Sequence, residues 1–214
     1  MPTAFVRLSV ALAALCAVLT ACPSDPPPPP PGVQVNVTDP DNGNNFSYYS
    51  DNFVPARLPL ASAPQSAAEV QMLAAINAER ARGGVCPTAS GGTVTFPARA
   101  PFIFEGHLHA AASGHAAYMA SKNLIDHIGA GKSTPASRMV AAGYTPAPPS
   151  QKLVIFEESL ALNIDQSAEV IAAWKTSVRH CAALFDILSD GSAARSQNGN
   201  VVAWVLDIGG IISK

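Results

Sequence analysis

His127, His180, Glu158, Cys86 and Cys181 are the side chains through which this sequence could do chemistry. Two neutral imidazoles and one carboxylate can ligate Zn2+ or Mg2+ and leave a position for water. They can equally form a hydrogen-bonded cluster that holds no ion. Glu157 is an extra candidate ligand, although adjacent strand residues face opposite sides. A catalytic zinc also needs partners that orient its ligands, and the sequence does not locate them. Cys181 directly follows His180, yet catalytic Cys–His pairs come from distant segments, so a thiol nucleophile is the weaker reading.

Other motifs carry less. Gly129-Ala-Gly131-Lys132-Ser133-Thr134 resembles the tail of a phosphate-binding loop, but the position that needs the first glycine is Asp126. That motif also requires a preceding strand and a long following helix, so nucleotide binding is rejected. Neither a Gly-x-Ser-x-Gly elbow nor a His-Glu-x-x-His helix occurs. His115 falls on an apolar helix face and reads as an interior histidine. His107 and His109 sit at a helix start, where exposure is the default.

A net charge of -2 with no basic cluster argues against nucleic acid, whose phosphates demand a basic face. Hydrophobic residues make up 48% of the 214, enough for one domain with extensions. Part of that total belongs to Leu8–Leu19, which is shorter than the roughly 20 residues of a spanning helix and fits the apolar region of an export signal. Leu19-Thr-Ala-Cys22 resembles a bacterial lipobox, so residues 1–21 read as a signal peptide and Cys22 as the site of lipidation. Residues 22–65 read as a tether. It opens with six prolines, Pro26–Pro31, a semi-rigid spacer, and continues into a largely disordered linker. The expected location is an exported protein, lipid-anchored to a bacterial membrane. Pro23 after the cysteine points to the outer membrane, on its periplasmic or surface face. With Cys16 leaving in the signal and Cys22 acylated, Cys86 and Cys181 remain as a pair in an oxidising compartment. Two buried free thiols are the bland alternative.

The elements that must position these residues begin with a helix capped by Ser66-Ala-Ala-Glu69 and ended by Gly83-Gly84. Residues 87–101 read as loop with a short strand near Val94. A second helix spans about 106–123, its Leu108, Ala111, Ala112, His115 and Met119 on one stripe. A short third helix runs from the cap Thr134 and Pro135 to Gly143. Leu153–Phe156 reads as a buried strand leading into Glu157 and Glu158. A fourth helix starts at Asp165 or Ser167 with Val170, Trp174 and Ser177 on one face. Leu184–Leu188 and Val201–Ile208 are strand candidates, with a turn at Asn198-Gly199.

The order of these pieces resembles the CAP superfamily, or SCP domain, of cysteine-rich secretory, antigen 5 and plant pathogenesis-related proteins. The resemblance runs over about residues 68–210. It is carried by Leu73-Ala-Ala-Ile-Asn-Ala-Glu-Arg-Ala-Arg82, His115-Ala-Ala-Tyr-Met119, Asp126-His-Ile-Gly129, and Arg138 with Ala142-Gly-Tyr144. Glu157-Glu-Ser-Leu-Ala161, Trp174-Lys-Thr-Ser-Val-Arg-His-Cys181 and Trp204-Val-Leu-Asp-Ile-Gly209 complete it. It implies an α+β fold, a three-layer α-β-α sandwich over residues 66–214, with a cavity lined by two histidines and two acids. His127, Glu158 and His180 match; the second acid is Ser177 here. Glu157, Ser159 and Arg179 also depart from the motifs.

Function is then expected to be that of a membrane-anchored CAP/SCP lipoprotein. Its cavity residues His127, Glu158, Ser177 and His180 would meet a lipid, a peptide or a cell-envelope ligand without turnover. One alternative is a metal-dependent hydrolase in which His127, His180 and Glu158 hold Zn2+ or Mg2+. The other is a structural envelope protein with a vestigial cavity.

Overall fold

The computed structural model describes residues 64–144 and 153–212, with the backbone alone at 153–155 and 211–212, and two strands nearer the N-terminus, again as backbone. The signal segment, Cys22 and most of the tether lie outside the described residues. Within the interval read as linker, Gln34–Thr38 (β1) and Asn45–Tyr49 (β2) pair as an antiparallel hairpin. The polar–apolar alternation of Gln34-Val-Asn-Val-Thr38 is strand-like, so the linker expectation is corrected there.

Helix α1, Ala67–Arg82, starts at the Ser66–Glu69 capping box and stops at Gly83, whose φ is 70°. A Cβ at Gly83 would lie 2.5 Å from the Phe96 carbonyl oxygen, so the stop is sterically obligatory. The chain then makes a hairpin of Gly84–Pro87 (β3) and Thr93–Phe96 (β4). Helix α2 covers Gly106–Lys122, capped by the Glu105 carboxylate, which accepts from the Leu108 N–H at 2.8 Å. Helix α3, Pro135–Ala141, has Thr134 and Ser137 as a reciprocal cap and proline in its first turn. Strand β5 is Leu153–Leu162, α4 is Ser167–Thr176 and α5 is Val178–Leu184. Strands β6 (Asp190–Asn198) and β7 (Val201–Ile212) close the chain.

The sheet is antiparallel with order β5-β7-β6, and strand alternation divides its residues between two helical layers. Ala161, Ala193, Trp204, Leu206 and Ile208 pack with Met72 and Ile76 of α1, Trp174 of α4 and Leu184 of α5. Leu160, Ala194, Ala203 and Val205 face Ala112, Ala116, Met119 and Ala120 of α2. The fold is therefore an α+β, three-layer α-β-α sandwich. Each fully buried Leu, Ile or Met in it contributes about 1.5–3 kcal/mol. No helix among the described residues is long and apolar enough to cross a membrane.

Four local expectations are corrected. Leu184–Leu188 is the end of α5 and a turn, because its carbonyls go to a buried cation instead of a ladder. Arg80, 1% exposed, donates to the carbonyls of Leu184, Asp186 and Leu188 and stacks on Phe102 at 3.5 Å. Burial pushes the Arg80 pKa down to about 9, which still leaves it charged at neutral pH. The third strand of the sheet is β6, a run of small and polar residues with little intrinsic strand preference. Small side chains are needed there, since Gly191 lies under the Phe102 ring. Glu157 and Glu158 lie within β5, not after it. Ser177 breaks the fourth helix into α4 and α5 instead of sharing its buried face.

Beside α3, the Tyr144 hydroxyl donates to Asp190 Oδ2 at 2.7 Å and the Ser189 hydroxyl donates to Oδ1 at 3.1 Å. Burial pushes the Asp190 pKa up from 3.8 to about 6, with Glu105 adding to the rise. A folded pKa above the unfolded one means that the native state binds the extra proton. The associated stability is full below about pH 4 and is lost as pH rises through about 6. Asp190→Asn keeps an acceptor for Tyr144 and is expected to raise stability at pH 8 by up to about 3 kcal/mol, with little gain at pH 4. Urea melts of both proteins at the two pH values check this; an equal shift at both would refute it.

Candidate functional site

The site forms around β5, an edge strand of the sheet, from residues of both helical layers. Asn123 ends α2 in the left-handed region, φ 50°, and the chain turns into the loop that carries His127. Two clamps hold this loop. His115 Nε2 donates to the Asp126 carbonyl at 2.8 Å, and Arg138 Nη1 donates to the His127 carbonyl at 3.0 Å. His115 is 1% exposed, and burial holds its pKa below the usual histidine value, with Arg138 and His127 adding to the effect. The neutral tautomer with hydrogen on Nε2 follows, since a carbonyl only accepts.

The structure brings His127, Glu158 and His180 together. His127 Nδ1 donates to Glu158 Oε1 at 2.7 Å, and the His127 and His180 rings are 5.9 Å apart, tilted by 56°. Arg138 Nη2 donates to Glu158 Oε2 at 2.5 Å. The Glu158 side chain is 1% exposed, whereas His127 is 48% exposed, so the carboxylate is a floor and His127 the outward face. Burial lowers the His180 pKa, helped by the neighbouring His127 and Arg179.

Ser177 stands at the N-cap of α5, where its hydroxyl accepts from the His180 N–H. It fixes the helix that carries the second imidazole. The disulfide Cys86–Cys181 is formed, with Cα atoms 5.6 Å apart, and ties the same helix to β3. Glu157 turns to the opposite sheet face, toward Asp186, Arg179 and Arg80, and burial followed by the Asp186 charge raises its pKa strongly. It is no ligand for the imidazoles. His109 is 5% exposed and both its nitrogens lack hydrogen-bond partners among the described residues, which corrects the exposure expected for it. His107 keeps partial exposure and pairs with Glu105 at 2.7 Å.

Two further residues complete the cluster. Arg138 entered the sequence reading only as part of a motif. Asp207 was assigned no role, although a carboxylate amid the apolar run Val201–Ile208 is itself a signal. It lies opposite Glu158 in the β5–β7 register and is fully buried. Neither of its oxygens has a hydrogen-bond partner among the described residues. Burial first, and the Glu158 charge second, push its pKa well above the carboxylate range, so the protonated acid is the form that fits.

Among the described residues, no three His, Cys, Asp or Glu side chains converge as a metal-holding set. Glu158 has one oxygen on an imidazole and the other on a guanidinium, so both oxygens are already engaged and a cation already neutralises the carboxylate. The donors present therefore do not fit the Zn2+ or Mg2+ site considered for His127, His180 and Glu158.

Comparison with known proteins adds likeness to two solved structures. An outer surface protein of Borrelia burgdorferi aligns at 23% identity and TM-score 0.43, over 53% of this chain and 78% of that one. An extracellular protein of Bacillus anthracis containing an SCP domain aligns at 14% identity and TM-score 0.47, over 72% of this chain. The chain spans 45% of the length of that second protein. No protein-family model matches the sequence. A search of curated proteins finds no match. The three-layer order seen here is the one that the CAP/SCP resemblance of the sequence implies.

Proposed function

We propose that this chain is an exported CAP/SCP-like binding module, tethered to a membrane through lipid on Cys22, that presents the His127–His180 face to a ligand without turning it over. One observation carries the reading: Glu158 is sealed. A general base must reach the proton that it removes, directly or through one water, and a carboxylate with both oxygens bonded and 1% exposure does not. What faces outward is His127 together with Leu124, Ile125 and Ile128 of its loop, each more than 40% exposed. Polar hydrogen-bonding groups beside an apolar rim suit an amphiphilic ligand: a lipid, an apolar peptide or an envelope component.

Native mass spectrometry of the full chain, extracted from membranes, tests this against a His127→Ala/His180→Ala variant. Retention of an amphiphile by the wild type, weakened about tenfold or more in the variant, is the expected result. Turnover of a peptide or ester panel that the folded His127→Ala/His180→Ala variant loses would establish the hydrolase instead. A chain that retains nothing and is indifferent to both substitutions would point to the structural envelope role. Cys22→Ser is expected to release the protein from the membrane fraction.

A further inference from the structure

We propose that Arg138 is the resident cation of this site: its guanidinium stands where a divalent ion would need to bind Glu158, and so keeps the cluster metal-free. This goes beyond the choice of ligand and does not depend on it. Arg138 reaches Glu158 Oε2 at 2.5 Å through one nitrogen, and through the other it donates to the carbonyls of His127 (3.0 Å) and Ser133 (2.9 Å). One planar group thus holds the carboxylate, the residue that carries the imidazole and the turn beyond it, a geometry suited to the fork of arginine. The guanidinium side chain is 10% exposed, so it has no easy way to swing into solvent.

The surrounding groups argue the same way. Glu158 and Asp207 face each other across β5 and β7 in register, with His127 on Glu158 and the His180 ring beside His127. Two carboxyl groups and two imidazoles are the donor types of a divalent site. Here the Arg138 guanidinium sits on Glu158, and Asp207 lies fully buried opposite that carboxylate. Mutual repulsion between an incoming ion and a fixed guanidinium only ångströms away weakens binding by about two or more orders of magnitude. The arginine is thus both the counter-ion of Glu158 and the barrier to a metal.

Metal uptake by the full chain, carrying no histidine tag, tests the proposal by titration calorimetry with Zn2+ and with Mg2+. The wild type is compared with two neutral variants, Arg138→Met and Arg138→Gln, and with the charge-retaining Arg138→Lys, each checked for folding by circular dichroism. The wild type and Arg138→Lys are expected to show no uptake that depends on His127. A folded neutral variant is expected to bind Zn2+ at least about a hundredfold more tightly, and His127→Ala should remove that gain. Tight wild-type binding lost on His127→Ala overturns the proposal. A folded neutral variant that gains nothing also overturns it. Equal gains in Arg138→Lys and Arg138→Gln would do the same, since charge would then not be the barrier.

Discussion

Removing the Cys86–Cys181 cross-link by the double substitution Cys86→Ala/Cys181→Ala is expected to lower stability by about 4–5 kcal/mol, the loop-closure value for a span of this length. The two cysteines are 95 positions apart and essentially fully buried, at 1% and 0% exposure. The loss should be uneven. Helix α5 has 7 residues, too few to persist by its own propensity, and its position rests on the disulfide, the Ser177 cap and packing against the sheet. His180 rides on that helix. His127 does not: its loop is clamped by His115 and Arg138 from α2 and α3. Hydrogen exchange should therefore accelerate most across Val178–Leu184, beyond the rise that the lowered global stability gives α2 and α3. Denaturant melts give the total. A loss below about 1 kcal/mol, or uniform acceleration across the domain, would refute this account of the disulfide.

Glu158→Gln is expected to cost about 3–5 kcal/mol, the usual penalty for breaking a buried ion pair from one side. The substitution leaves the largely buried Arg138 guanidinium facing an amide that can accept but carries no charge, and it weakens the hold on His127 Nδ1. Arg138→Met should be similarly damaging, because a buried carboxylate then loses its counter-ion. The double variant should cost less than the sum of the singles, by about 1–3 kcal/mol, since the two residues act as one unit. Asp207→Asn makes the contrast: at neutral pH it exchanges one neutral group for another of the same shape and should change stability by less than about 1 kcal/mol. Additive single effects would mean that the Glu158–Arg138 contact contributes little. A large loss in Asp207→Asn would mean that Asp207 is ionised in the native state.

Local chemistry accounts for what could be read directly from the residues. The Ser66–Glu69 box, Thr134 with Pro135, and Gly83 act within a few residues of themselves, so α1, α3 and their limits are visible without knowing the rest of the chain. The stripe of α2 is likewise periodic, and the pairing of Cys86 with Cys181 follows from counting cysteines once export is expected. Strand β6 was invisible because nothing in Asp190-Gly-Ser-Ala-Ala-Arg prefers extended backbone. It becomes a strand because small residues let α2 and Phe102 approach closely. The hydrophobic run Leu184–Leu188 misled for the complementary reason: a buried arginine from α1 claims its carbonyls.

The sequence by itself determined the first three helices, the order of the motifs along the chain, the covalent staple and the identity of the residues worth watching. Only the tertiary structure decided which way each of them faces. Adjacent carboxylates on one strand were sent to opposite sheet faces, Glu158 to an arginine and an imidazole, Glu157 to a second acid. Strand register, which no local signal encodes, set Asp207 beneath Glu158 and let burial push its pKa up. Charge, proton and exposure at this site are properties of packing, and packing is non-local.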